Sequence, residues 1–444
     1  MKEFEVIDRI IYIDEKSGEY SSSIKDLLNG LIDIDTYNPN FKDYSSPVVT
    51  LSINLSNACN LACKYCFNDE KDGSSLKLDD VFRFIDNSFA QFPNKEKYII
   101  DISGKGEPLL FLDKILKIKE YTIGISNRIN REILVQFVSN GVLLTPVVAE
   151  VLQKNGILFG VSVDGNKKIH DLYRKTKDGK DTYDIIMNNI KGIENRSYVG
   201  LAATLTKEVF SLKDSLIELS EVFETIGYKP SRSSDVSFTE DTVYDWLEEY
   251  EQLTIFLRDQ ALNNNLKYLK ILLNGDDYFG KFIRRVFLHQ HFFCRCDAGL
   301  ARFSLDKDGS IYICPAAYNN EKYRVGDNCK IDVKKSEKLF YLHFSNEECN
   351  SCAFRYLCAK ECLIELDANK GPNKIMCTFK KYLILLAIYF YLELKEKNQE
   401  AFNEILSFCK EYGNRYRRDL KLENFLKENN YPFVEGKKIY DSMK

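Results

Sequence analysis

Four absences narrow what this chain of 444 residues can be. It has no basic block: 62 lysines and arginines stand against 66 acids, for a net charge of −4. Neither nucleic acid nor an anionic membrane surface is therefore an expected partner. Its first residues, Met1-Lys2-Glu3-Phe4-Glu5, lack the basic-then-apolar layout of a secretion signal, which points to a reducing, cytoplasmic setting. The apolar run Tyr382–Leu392 falls short of the roughly 18 to 20 apolar residues a membrane span needs. Glu393 and Lys395 close it, so a buried helix is expected there and no membrane. Histidine is scarce at four residues, and His289 and His291 read as loop or surface residues rather than ligands.

Cysteine, by contrast, is plentiful at 13. In a reducing compartment thiols serve metals or catalysis rather than disulfides. Three form Cys59-x3-Cys63-x2-Cys66, directly after the β-rich run Val48–Leu55. Thiolates this close can wrap one side of a 4Fe-4S cube, which needs four ligands. Only three are offered, so one iron stays open to an outside molecule, as a catalytic site requires. A zinc knuckle is the alternative, although its cysteines usually come in pairs completed downstream. Seven more form Cys296-x12-Gly309-x4-Cys314, then Cys349-x2-Cys352-x5-Cys358-x3-Cys362, then Cys377. Zinc on the Cys349–Cys362 stretch is the alternative there. Cys294, Cys329 and Cys409 stand outside both groups, and Cys409 reads as a core thiol beside Leu406 and Phe408.

A chain this long has room for two or three domains. Residues 1–45 read as strand, turn, strand and helix, from the alternation over Phe4–Asp14, the turn Lys16–Glu19 and helical spacing over Ile24–Ile34. Residues 46–290 alternate strand-like and helical runs, with strands expected over Val48–Leu55, Tyr98–Ser103, Ile133–Ser139, Leu158–Val163 and Val199–Thr206. Helices are expected over Asp79–Phe89, Asp113–Ile123, Pro146–Lys154 and Trp246–Asn263. Parallel strands closed by helices imply a full or partial barrel, with functional residues at the carboxyl ends of the strands. Residues 291–383 hold the second cysteine group, with a hairpin over Phe303–Ile313, and 384–444 form a helical packing element.

Motifs follow these strands. Ser103-Gly104-Lys105-Gly106-Glu107-Pro108 combines close backbone approach with a carboxylate that can accept from an ammonium. Ser139-Asn140-Gly141 ends the next strand, and Val161-Ser162-Val163-Asp164-Gly165 the one after. His170-Asp171-Leu172-Tyr173-Arg174 follows. Ser162 can hydrogen-bond a nucleoside or methionyl group and Arg174 can fork onto a carboxylate. Asp164, His170 and Asp171 can instead fix the loop.

The cysteine loop, with Tyr65 before its last cysteine, together with these turns resembles the radical S-adenosylmethionine (SAM) enzymes. That resemblance implies a cluster on Cys59, Cys63 and Cys66 whose open iron chelates SAM. An electron then splits the sulfonium, and a 5′-deoxyadenosyl radical takes hydrogen from the substrate. It assigns SAM contacts to Tyr65, Phe67, Gly106, Glu107, Pro108, Asn140, Ser162, Asp164 and Arg174. Lys105 departs from the family's pattern, which has glycine there. The seven later cysteines resemble the SPASM extension, which carries two auxiliary clusters. Cys296, Cys314 and Cys362 would bind the first, and Cys349, Cys352, Cys358 and Cys377 the second. Three 4Fe-4S clusters are thus implied, with one vacancy at the first auxiliary site for Cys294, Cys329, water or a substrate thiolate. The implied fold is α/β: a partial (β/α)6 TIM-like barrel, a cysteine-rich C-terminal iron–sulfur domain and a small N-terminal α+β segment.

Members with this extension act mostly on peptides or proteins. Sulfatase-maturing members carry an acid just after the second SPASM cysteine, whereas this chain has Cys314-Pro315-Ala316-Ala317. The favoured expectation is an oxidoreductase that matures a ribosomally made precursor peptide, a leader plus a Cys-containing core, by thioether formation. A flavodoxin- or ferredoxin-type donor would supply electrons. The alternatives are oxidation of Cys or Ser to formylglycine, a carbon–carbon crosslink or epimerisation. Residues 1–45 would be a reduced leader-binding module or a plain cap on the barrel.

Overall fold

The computed structural model describes the chain apart from residues 24–45, 69–71, 197–198, 233–234, 276, 291, 293 and 417–444. The helix expected over Ile24–Ile34, and His291, lie outside the described residues. At the N-terminus, strands β1 (Lys2–Val6), β2 (Arg9–Ile13) and β3 (Tyr20–Ser21) form a small antiparallel sheet.

Six parallel strands follow in chain order, β4 (Val48–Ile53), β5 (Lys97–Asp101), β6 (Glu132–Ser139), β7 (Ile157–Ser162), β8 (Val199–Leu205) and β9 (Thr225–Pro230). Each pairs with the next, with helices between them, which is a partial (β/α)6 barrel. Period-two alternation explains why these runs are strands. In β8, Val199, Leu201, Ala203 and Leu205 are buried, while the residues between them are half-buried on the other face. The helices start where their caps dictate: Thr145 accepts from Val148 N ahead of Pro146, and Thr239 and Thr242 form a capping box.

The sixth strand was not among the expected ones. In Thr-Ile-Gly-Tyr-Lys-Pro the glycine and proline argue against a strand, but β9 is the last strand of the sheet, an edge where proline is tolerated. At the opposite edge, β10 (Arg302–Leu305) pairs in parallel with β4, register Arg302↔Thr50 to Leu305↔Ile53. β11 (Ile311–Tyr312), β12 (Arg324–Asp327) and β13 (Lys330–Ile331) continue antiparallel, giving ten strands. The hairpin of the cysteine-rich region is thus an extension of the barrel sheet itself.

The helix Lys374–Lys397 is, among the described residues, the one long and apolar enough by composition to cross a membrane. It is buried in protein, packed against Glu240–Leu262 and Tyr278–Phe287. The buried helix expected over the apolar run is present, and it continues past Glu393 and Lys395. Glu393 is itself buried, and ion pairs with Arg9 (2.6 Å) and Lys397 (2.7 Å) let the helix run on.

Candidate active site

The loop after β4 is tied down before its first cysteine. Buried Asn54 donates to Asn57 Oδ1 (2.9 Å) and to Asp306 Oδ1 (2.7 Å) of the β10–β11 turn. Farther along, Ala62 N donates to Lys175 O (2.8 Å) and Lys64 N to Tyr173 O (3.0 Å). The loop therefore presents Cys59, Cys63 and Cys66 half-buried and outside any disulfide, with Cys59 and Cys66 within electrostatic range of Cys63. Burial raises the Cys63 thiol, and the Arg174 guanidinium opposes that rise. Among the described residues no three His, Cys, Asp or Glu side chains converge on a point that would hold a single ion. Three soft thiolates on one loop are the donor set that a 4Fe-4S cluster takes.

Three of the expected SAM contacts hold each other. Tyr65 OH donates to Asp164, Arg174 Nη1 donates to Tyr65 OH (2.7 Å), and Thr204 N donates to the other Asp164 oxygen (2.9 Å). Asp164 and Arg174 are buried, and among the described residues the Arg174 Nε has no hydrogen-bond partner. Burial raises the Asp164 carboxyl, with Arg174 opposing. His170, fully buried, fixes this corner: its Nδ1 accepts from Asp164 N (3.2 Å) and its Nε2 meets Thr182 Oγ1 (3.0 Å). Burial drops its pKa to about 3, so it stays neutral. Asp171 accepts from the backbone N–H of Thr182 and Tyr183.

The turn after β5 reaches the same loop. Glu107 N donates to Ala58 O (2.8 Å), next to Cys59. The Glu107 carboxylate, 2 % exposed, accepts from Leu109 N (3.0 Å), Ser139 Oγ (2.8 Å) and Asn140 N (2.7 Å), tying the turn to the end of β6. Pro108 opens the short 3-10 turn Pro108–Phe111. Asn140 Nδ2 donates to Asn60 Oδ1 (2.7 Å) and lies 3.9 Å from Cys59 Sγ. Lys105, the departure from the family pattern, is nearly buried. Its Nζ sits 3.9 Å from Asp306 Oδ2 and 5.3 Å from the Tyr318 ring centroid, so it joins this turn to the hairpin. Ser162 ends β7. Phe67, 61 % exposed, stands apart from the others.

The later cysteines sort into two neighbourhoods. Cys314 interacts electrostatically with Cys296 and Cys362, and burial pushes its thiol up to about 12. Cys377 is within range of Cys358 and Cys349, and Cys358 of Cys352. Buried Cys294 lies within range of Lys360, as does Cys349. Cys329 lies away from both neighbourhoods, in the β12–β13 turn beside Asp80 and Arg83, with its carbonyl accepting from Asn87 (2.8 Å). Cys409 is fully buried in the core.

Sequence reasoning missed the charged residues facing the barrel lumen. Asp101, at the end of β5, has Arg302 of β10 and Lys229 of β9 in range, and burial raises its carboxyl. Its signal was positional: it shares a strand face with Ile99 and precedes the motif residue Ser103 by two.

Residues 53–202 match the model of the Radical SAM superfamily. The chain is 26% identical over 349 residues to a cysteine-type anaerobic sulfatase-maturating enzyme of Clostridium perfringens, covering 71% of this chain and 89% of the relative. It is 23% identical over 407 residues to the radical SAM cyclopropyl synthase TigE of Paramaledivibacter caminithermalis, covering 81% and 79%. Among solved structures, native anSMEcpe with bound AdoMet and Cp18Cys peptide superposes with a TM-score of 0.61 at 21% identity, covering 81% of this chain and 100% of that one. That structural likeness establishes a shared fold.

Proposed function

Because this chain is a radical SAM enzyme related to anaerobic sulfatase maturases and peptide modifiers, we propose that it abstracts hydrogen from a side chain of a Cys-containing peptide and closes a thioether. With their groups bound, the clusters and SAM would supply a low-potential electron and a 5′-deoxyadenosyl radical that takes one hydrogen atom, and an auxiliary cluster would accept the second electron released when the sulfur, its proton lost to solvent, bonds the carbon. The chain's residues do the rest. Cys59, Cys63 and Cys66 hold the first cluster. Gly106 lets the β5 turn approach the cysteine loop, and Glu107 locks that turn to the end of β6 with two hydrogen bonds, from Ser139 and Asn140. Arg174 holds a fixed positive charge beside Cys63, within range of that thiol. Cys296, Cys314 and Cys362 form a three-thiol set that leaves room for a sulfur from the substrate, and Cys349, Cys352, Cys358 and Cys377 form a four-thiol set. A precursor peptide and a flavodoxin- or ferredoxin-type electron donor are the partners, in the cytoplasm.

One observation carries the thioether reading over formylglycine formation. Cys314 is followed by the 3-10 turn Pro315–Ala317, which offers no carboxylate where sulfatase-maturing members place one. The relatives favour the second reading, and Asp101 in the lumen is the acid that would serve it. The test is mass spectrometry of two substrates after anaerobic incubation with reduced enzyme and SAM. The first is a short Cys-rich peptide encoded beside this gene; the second is a sulfatase-derived peptide. A product lighter by two hydrogens with fewer alkylatable thiols supports the thioether. Unchanged thiols in the first and an aldehyde in the second would replace it with the maturase reading.

A further inference from the structure

The N-terminal sheet packs on the segment that separates two cysteines of the four-thiol set. Between Cys352 and Cys358 lie Phe354, Arg355 and Tyr356, and each is held by residues 2–21. The Phe354 ring meets Phe4 of β1 edge-on, with centroids 5.2 Å apart. Arg355 Nη1 donates to Glu15 O (2.5 Å) and to Cys352 O (3.0 Å), while its Nη2 donates to Lys16 O. One guanidinium thus fastens the β2–β3 turn to the carbonyl of a cysteine. The Tyr356 ring lies against Gly18, whose φ of +74° suits glycine, and a Cβ on Gly18 would come within 2.9 Å of Tyr356 Cδ2. Asp14 pre-forms the turn, accepting from Ser17 N (2.6 Å) and Ser17 Oγ (2.8 Å).

The other end of the sheet grips the helix that bears Cys377. Arg9 pairs with Glu393 (2.6 Å) and forks onto Glu396 (2.9 and 2.6 Å), and Tyr20 OH donates to Val286 O (2.5 Å) of the neighbouring helix. Three of the four thiols, on Cys352, Cys358 and Cys377, therefore sit on segments that residues 2–21 contact.

We propose that this sheet is a clamp that positions the four-thiol set for its cluster. The inference rests on the reading of that set as iron–sulfur ligands. A thiol set must be held at fixed spacing to bind a cube, and a five-residue excursion with no regular structure but one helical turn does not fix its own ends. The contacts from residues 2–21 supply what local structure omits. Arg355 is a positioning residue: it touches a ligand's carbonyl, not the iron.

The test uses the full chain reconstituted anaerobically with iron and sulfide, comparing wild type with Gly18→Val, Phe4→Ala, Arg355→Met and Arg355→Lys. Iron per chain and electron paramagnetic resonance of the reduced protein are the readouts. Gly18→Val and Arg355→Met should lose about a third of the iron and one resonance component. The component that shifts on adding SAM should keep its intensity. Phe4→Ala and Arg355→Lys should show a partial loss of the same component, which keeps the test readable if the harsher variants precipitate. Unchanged iron and spectra in all variants, or an even loss from every component, would overturn the clamp. Wild type that takes up only about a third of the expected iron would overturn the cluster reading beneath it.

Discussion

Gly106→Ala is the smallest change that should disable the site. Its backbone is not in the left-handed region, so alanine carries no conformational penalty there; the objection is purely one of space. A Cβ at 106 would lie 2.3 Å from Ser56 O and 2.4 Å from Ala58 O. Both are backbone atoms, and Ala58 is bonded to Glu107 N and precedes Cys59. Relief to ordinary contact needs a movement of about 1 Å, borne either by the β5 turn or by the cysteine loop. Overpacking of this kind costs roughly 1–3 kcal/mol, and the upper half applies because neither neighbour is a flexible side chain. Anaerobic urea denaturation should therefore show a loss of about 2–3 kcal/mol, and SAM should no longer perturb the reduced cluster's resonance. Gly124→Ala is the matched control. It lies in the helix Leu112–Ile129 with nothing within 4 Å of the added carbon, so it should gain about 0.5–1 kcal/mol. A Gly106→Ala protein that is as stable as wild type and still responds to SAM would refute the steric argument.

Other outcomes follow from the same geometry. Burial holds the His170 pKa at about 3 against an ordinary 6.5, so between those values only the unfolded chain takes up the proton. Stability should fall as pH drops below 6.5, with about 2 kcal/mol lost by pH 5. A His170→Asn variant should lack that component, and equal pH slopes for the two proteins would contradict it. Lys380 and Glu361 form a buried ion pair at 2.6 Å. Lys380→Met should cost about 1.5–3 kcal/mol, the worth of its charged hydrogen bonds, because Arg295 Nη1 still lies 3.0 Å from Glu361 Oε1; thermal melts of variant and wild type decide this, and an unchanged midpoint would contradict it. Cys294→Ala should leave iron per chain unchanged, since Cys294 lies by Lys360, which also faces Cys349 of the four-thiol set, and that set already has its four ligands. A loss of iron would make it the missing ligand.

The sequence alone determined the local chemistry and most of the local structure. Cysteine spacing is a short-range property, and so is the alternation that marks β4 to β8, because each is written within about ten consecutive residues. β9 escaped because an edge strand tolerates the glycine and proline that argue against it. Tertiary structure alone decided which residues from distant segments meet. Asp164, read as a cofactor contact or a loop brace, receives Tyr65 from 99 residues away, and Lys105 finds Asp306 across the β4–β10 junction. Glu393, which reads as the end of an apolar run, lies buried about one turn before its helix ends because Arg9 arrives from the other end of the chain. Partners so far apart leave no periodic trace in the sequence; only the closing of the sheet and the docking of its ends bring them within bonding distance.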